Sequence, residues 1–203
     1  RLYELPKENG RITIGGVDIA DMKGSWVRSH IGMVLQESFL FSRTIAENIG
    51  ITRRGMSLSD IRWAASIACV DEAISEFSKG YDTVVGERGV TLSGGQKQRT
   101  AIARMLTQRT PIMVFDDSLS AVDSETDAKI RQALKRNLGD STVILISHRV
   151  TTLMQAECIL VLDKGRVAEL GSHEELIKKK DGIYRRIYDM QMTLPEEVAE
   201  YGA

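Results

Sequence analysis

The sequence predicts an α/β domain built on a parallel sheet, and three observations carry that prediction. Residues 112–115 and 143–146 are continuous apolar runs of strand length, each followed by a polar residue. A segment of helical periodicity lies between them at about 124–137, which makes a βαβ unit. Upstream, residues 44–77 place Ile61, Ala64, Ala65 and Ala68 at helical spacing, so a helical section interrupts the strand pattern.

The other elements follow in chain order. Residues 1–5 read as the end of a helix, with a turn over 6–10. Residues 11–14 alternate with period two up to Gly15-Gly16, a half-buried strand, and 31–36 form another strand that ends at Gln36. Ser59 is the expected cap of the helical section. Residues 79–91 are glycine-punctuated loop, and a helix runs from Ser93 to about Gln108 on Ala101, Ile102, Met105 and Leu106. Residues 159–162 and 166–169, joined through Asp163-Lys164-Gly165, predict an antiparallel hairpin at the sheet edge. Terminal helices are expected over 174–179 and 183–190, then a loose tail.

Composition narrows the function classes. Lys and Arg number 27 against 28 Asp and Glu, so a net charge of −1 favours neither nucleic acid nor an anionic membrane surface. No apolar run approaches the ~18 residues of a membrane span, and residues 1–9 lack the pattern of a signal peptide. Cys69 and Cys158 are far apart, each in an apolar stretch, and read as reduced core thiols, not as a disulfide or a zinc site. Trp63 reads as core; His30 and His173 read as surface residues.

Chemistry concentrates at a few positions. Ser93-Gly94-Gly95-Gln96 has the spacing of a capping box, so helix initiation alone is one reading. Two adjacent glycines are poor helix formers, however, and glycine at a helix N-terminus lets a phosphate lie against exposed amides. That second reading expects a polyphosphate. Asp116 and Asp117 close an apolar strand, where open α/β sheets place ligands. Asp116 is the expected magnesium partner and Asp117 the residue that orients an attacking water; a cap for the turn at Ser118 is the plainer alternative. His148 follows the neighbouring strand and is either a γ-phosphate contact or a hydrogen-bonded turn residue. Gln36 is a site residue or a strand-end amide.

Together these pieces resemble the nucleotide-binding domain of an ATP-binding cassette (ABC) protein. The match is collinear from Arg11 to about Glu175: Gln36 as the Q-loop glutamine, Leu92–Gln96 as the signature LSGGQ, 112–116 as Walker B, Ser120–Asp123 as the D-loop and His148 as the switch histidine. Phe39-Leu40-Phe41-Ser42, residues 44–49 and residues 83–89 are similar to exporter domains. In that context Glu87 and Arg88 would touch the coupling helices of membrane domains; a solvated ion pair is the alternative.

The resemblance implies a P-loop NTPase-like core over 1–51 and 80–191, a helical subdomain with its pre-signature loop over 52–92, and a tail over 192–203. The signature helix 93–108 belongs to the helical side. It implies ATP and Mg2+ as ligands. Asp116 and Gln36 would meet the metal, partly through water. Asp117, His148 and Gln36 would act in hydrolysis. Ser93, Gly94, Gly95 and Gln96 would bind ATP across a dimer, with Asp123 beside them. Implied partners are a second nucleotide-binding domain and transmembrane domains fused upstream, at the cytoplasmic face of the cell membrane, with no nucleic acid. The transported substrate lies outside what these residues specify.

Two departures stand out. The P-loop pattern G-x-x-x-x-G-K-[ST] occurs nowhere in the 203 residues. The expectation is a fragment that lacks the Walker A part and early strands, and is inactive alone. Second, Asp117 stands where the family has glutamate. A carboxylate withdrawn by ~1 Å predicts a slow or degenerate site, as in one half of a heterodimeric multidrug exporter, with the signature completing the partner's site. A homodimer running on aspartate and a non-hydrolysing, signature-donating module are the alternatives. A soluble ABC protein of DNA repair or translation would need inserts or basic patches that are absent from the sequence.

Overall fold

The computed structural model describes residues 4–53, 55–86 and 89–193. The chain divides into two compact units, 1–146 and 147–203.

In the first unit, β1 (Thr13–Ile14) and β2 (Val17–Asp18) pair antiparallel across Gly15-Gly16, both glycines at positive φ. The strand read over 11–14 is therefore half of a small hairpin. Glu4 and Leu5 carry no regular structure, and a 3-10 turn occupies Lys7–Asn9. Helix α1 (Gly24–His30) leads directly into β3 (Ile31–Val34), which is two residues shorter than expected, so Gln36 lies in the following loop. The helical section is three helices, α2 (Ile45–Gly50), α3 (Leu58–Ile67) and α4 (Asp71–Ser75). Thr44 and Glu47 form a capping box on α2. Ser57, not Ser59, caps α3: its hydroxyl accepts from Asp60 N at 3.1 Å, while Ser59 is already inside the helix.

Helix α5 (Gly94–Leu106), β4 (Ile112–Asp116), α6 (Ser124–Asn137) and β5 (Thr142–Ile146) complete this unit. The sheet is parallel with order β3-β4-β5, so the expected βαβ unit is β4-α6-β5. Helix α5 packs on β3, α2 and α3. Gly32 permits that approach, since a Cβ there would stand 2.6 Å from Thr110 Oγ1 and 2.9 Å from Met105 Cγ. The buried core joins Ile45 and Ile49 of α2, Ala64 and Ala65 of α3, Ile102 and Leu106 of α5, and Met113 and Phe115 of β4. Residues in register on the opposite sheet face are open: Met33 is 53% exposed and Ile144 48%. Strand β5 is mostly exposed despite its continuous apolar run, and among the described residues it pairs with β4 alone.

The second unit contains α7 (Val150–Leu153), β6 (Ile159–Asp163), β7 (Arg166–Gly171), α8 (His173–Leu176) and α9 (Ile183–Thr193). Strands β6 and β7 form a two-stranded antiparallel sheet of their own, with an irregular register at Val161/Leu162. Its small core is Val150, Ile159, Leu176 and Tyr184. Helix α8 ends earlier than expected and α9 later, so Met192 and Thr193 are helical and only 194–203 of the expected tail lie outside the described residues.

Three expected placements are corrected. Cys158 is exposed, because it stands in the loop before β6 and not in the core; Cys69 is half-buried, and burial raises its thiol pKa. His173 is a packed residue, half-buried, with Nδ1 2.8 Å from the Tyr184 hydroxyl. Trp63 only flanks the core, with the Arg109 guanidinium 4.9 Å from its ring centroid. Trp26 and His30 stack with centroids 3.9 Å apart.

Candidate nucleotide site

The N-terminus of α5 is built by its own sequence. Ser93 Oγ accepts from Gln96 N at 3.2 Å and Gln96 Oε1 accepts from Ser93 N at 3.0 Å, a reciprocal capping box. Both side chains expected to meet ATP therefore also hold the helix end. The first helical N–H groups, those of Gly94 and Gly95, have no preceding turn to bond and point out of the helix end.

The two glycines differ. A Cβ on Gly94 would meet only Ala121 Cβ, at an ordinary 3.8 Å. On Gly95 it would stand 2.9 Å from the Ala121 carbonyl oxygen and 3.3 Å from Arg99 Nη1. Gly95 thus has an internal reason to be glycine: the D-loop backbone lies against it. Gly94 leaves room for a ligand.

Strand β4 delivers the carboxylates. Asp116 is its last residue, half-buried and in register with Ile146. The next residue, Asp117, has φ 43°, a left-handed conformation in which aspartate is enriched among non-glycine residues. Its N–H donates to Ile146 O at 2.9 Å, and its carbonyl accepts from Ser120 N at 3.2 Å and Ser120 Oγ at 2.8 Å. This turn sends the chain from the end of β4 to the D-loop. Ser118 is buried within it. Asp123 caps α6, with Oδ1 accepting from Thr126 N at 2.8 Å, and that hydrogen bond holds its pKa below the usual carboxylate range.

Gln36 is exposed, and its carbonyl is the acceptor for Gln98 Nε2. The segment after it is fastened to α5. The buried Asn48 amide bonds Phe41 N and O at 2.8 and 2.9 Å, and Arg104 donates to Phe39 O and Asn48 O at 2.8 and 2.7 Å. Burial lowers the Arg104 pKa from its ordinary value. The loop before the signature is tied to the start of α2, with Ile45 N donating to Thr83 O at 3.0 Å and Val85 N to Arg43 O at 2.9 Å. Glu87 and Arg88 lie outside the described residues.

His148 belongs to the second unit. It is exposed, and its carbonyl accepts from Gln191 Nε2 at 2.7 Å. The first unit thus contains Ser93–Gln96, Asp116, Asp117 and residues 120–123; Ala121 lies against Gly95, Ser120 bonds the Asp117 carbonyl, and the Gln36 backbone is one side chain, Gln98, from Ala121.

Sequence reasoning passed over Gln98 and gave Ala121 no role of its own within Ser120–Asp123. Gln98 was detectable: it is a polar residue three, four and seven positions before Ala101, Ile102 and Met105, on the apolar stripe of α5. Ala121 carried no comparable signal, since its role is made by its backbone.

Among the described residues no group of three or more His, Cys, Asp or Glu side chains could hold a metal alone. Asp116, half-buried at the end of β4, is a carboxylate of the kind that magnesium brought with a polyphosphate needs, since that ion takes one or two carboxylates and completes its shell with phosphate and water.

Comparison with known proteins gives the family. The ABC transporter family model matches residues 2–120. The leukotoxin translocation ATP-binding protein LktB of Mannheimia glucosida is 42% identical over 186 residues, covering 92% of this chain and 26% of that protein. LktB of Bibersteinia trehalosi matches to the same extent. The structure of a bacterial Atm1-family ABC exporter with ATP bound superposes with a TM-score of 0.87 at 43% identity, over 91% of this chain and 32% of that one. The chain spans about a quarter of the length of these curated relatives. It belongs to the ABC transporter family.

Proposed function

We propose that this chain is the nucleotide-binding domain of an ABC exporter, coupling MgATP binding and hydrolysis to movement of a substrate across a membrane. One observation carries the reading: the open helix end at Gly94, the D-loop packed on Gly95 and the β4 carboxylates occur together in one compact unit. The similarity to an exporter with ATP bound and to proteins named for leukotoxin translocation supports it. The working assembly pairs two such domains with transmembrane domains at the cytoplasmic face of the cell membrane. No helix among the described residues is long and apolar enough to cross a membrane. The domain division carried over is an ATPase core over 1–51 and 80–191 and a helical subdomain over 52–92.

Each residue has a role in this reading. The Gly94 and Gly95 amides, the Ser93 hydroxyl and Gln96 face the phosphates of a nucleotide held mainly by the partner domain, where the helix end offsets charge developing on the γ-phosphate. Asp123 stands beside that contact. On this chain's own side Asp116 and Gln36 hold magnesium, which supplies charge neutralisation at the phosphates. Asp117 orients water and His148 contacts the γ-phosphate. Glu87 and Arg88 serve coupling to the membrane domains. Closure on nucleotide moves those domains because the closed state binds it more tightly.

Asp117 makes the chain's own site slow, and this favours one half of a heterodimer. Aspartate suits the left-handed backbone at that position, but its carboxylate stops ~1 Å short of the glutamate it replaces, enough to cost roughly a hundredfold in rate. The test is Asp117→Glu in the complete assembly, which should raise MgATP turnover at this site. Unchanged turnover overturns the slow-site reading, and absence of MgATP turnover in the assembly overturns the ATPase reading itself, leaving the non-hydrolysing module.

A further inference from the structure

Gln98 belongs to none of the motifs used above, yet two of them meet on its side chain and a third opens the helix that carries it. It is only 7% exposed and sits on α5 one turn past the signature glycines. Its Nε2 donates to the Gln36 carbonyl at 3.4 Å and its Oε1 accepts from Ala121 N at 3.1 Å. The partners are 62 residues upstream and 23 downstream, so this is no local cap.

Burying an amide is unfavourable unless its polar atoms are bonded, and a neutral amide can donate and accept at once, as this site requires. Glutamate would accept only; methionine would do neither. Ala121 is held from two sides, its N–H by Gln98 and its carbonyl against the bare Cα of Gly95. The D-loop therefore has little freedom to move independently of α5.

We propose that Gln98 is a positioning residue that locks the Gln36 loop and the D-loop to the signature helix. A displacement at Gln36 then reaches Ser120–Asp123 through one amide. The inference rests on the nucleotide-site reading for what these loops do, but the lock itself has a separate readout.

The complete transporter assembly is compared as wild type, Gln98→Met and Gln98→Glu. Methionine keeps the length and loses both bonds; glutamate keeps the acceptor for Ala121 N and loses the donor to Gln36. MgATP turnover should fall about tenfold in both, with KM for MgATP within about twofold, since orientation and not binding is lost. Amide exchange at Ala121 should accelerate about tenfold in Gln98→Met and stay at the wild-type rate in Gln98→Glu. A merely structural role would lower the thermal midpoint without splitting kcat from KM. Unaltered Ala121 exchange in Gln98→Met, or unaltered turnover in both variants, overturns the proposal. If Gln98→Met does not fold, Gln98→Glu decides: lost turnover with normal exchange supports the lock, normal turnover overturns it. If wild type has no MgATP turnover, the proposed function falls and Ala121 exchange in Gln98→Met still decides on the lock.

Discussion

In the proposed assembly the N-terminus of α5 serves the partner's nucleotide and the C-terminal end of β4 this chain's own, and the two are held in different ways. At α5 the side chains of Ser93 and Gln96 bond each other's backbone and Gly95 is pressed under the Ala121 carbonyl, so these residues stabilise the fold as well as face a ligand. At β4 the turn is held through backbone bonds of Asp117, and the left-handed φ of that residue suits aspartate. The contrast teaches that substitution at the signature disturbs side-chain bonds that hold a helix end, whereas substitution at Asp117 disturbs only a backbone preference for aspartate besides the reach of the carboxylate.

The strongest way to break this comparison is Ser93→Arg in the assembly. Turnover at the partner's site should fall about a hundredfold or more, the effect of losing a transition-state donor, while nucleotide binding at this chain's own site persists. Equal loss at both sites, followed by labelled-nucleotide occupancy, would sink the shared-site arrangement.

Next in size is a pair of alanine substitutions. Gly95→Ala should cost about 1–3 kcal/mol of stability, because a Cβ 2.9 Å from backbone oxygen forces the D-loop to shift. Gly94→Ala meets only an ordinary contact and should stabilise by up to ~1 kcal/mol through helix propensity. Denaturant midpoints check both; equal midpoints would mean that the D-loop does not rest on Gly95.

The smallest effect separates two caps by pH. Ser93→Ala should cost about 1 kcal/mol at every pH, since a hydroxyl does not titrate in this range. Asp123→Ala should cost a similar amount at neutral pH. Because folding lowers the pKa of Asp123, its contribution is present above the unfolded pKa and fades as pH falls through the folded one. The Asp123→Ala difference should shrink in acid while the Ser93→Ala difference does not. Thermal midpoints across a titration measure it, and parallel curves would remove the carboxylate cap.

Local patterns were legible because local chemistry causes them. The box at Ser93 and Gln96 needs only a three-residue spacing, and the strands ending at Asp116 and Ile146 announce themselves by apolar runs. Ser59 was expected to cap α3 and Ser57 does so, because the cap is fixed by which hydroxyl reaches Asp60 N in the folded backbone. Cys158 and His173 were misplaced because burial depends on what packs against a residue, which nearby apolar letters do not show.

The sequence by itself determined the α/β class, the β4-α6-β5 unit, the family and the residue types offered to a nucleotide, since each depends on periodicity or on neighbours within a few positions. Tertiary structure alone decided that Gly95 serves the D-loop while Gly94 stays open, that Asp117 sits in a left-handed turn, and that Gln98 joins Gln36 to Ala121. Those facts arise where segments distant in sequence approach within hydrogen-bond or van der Waals range, and such distances exist only once the chain has folded.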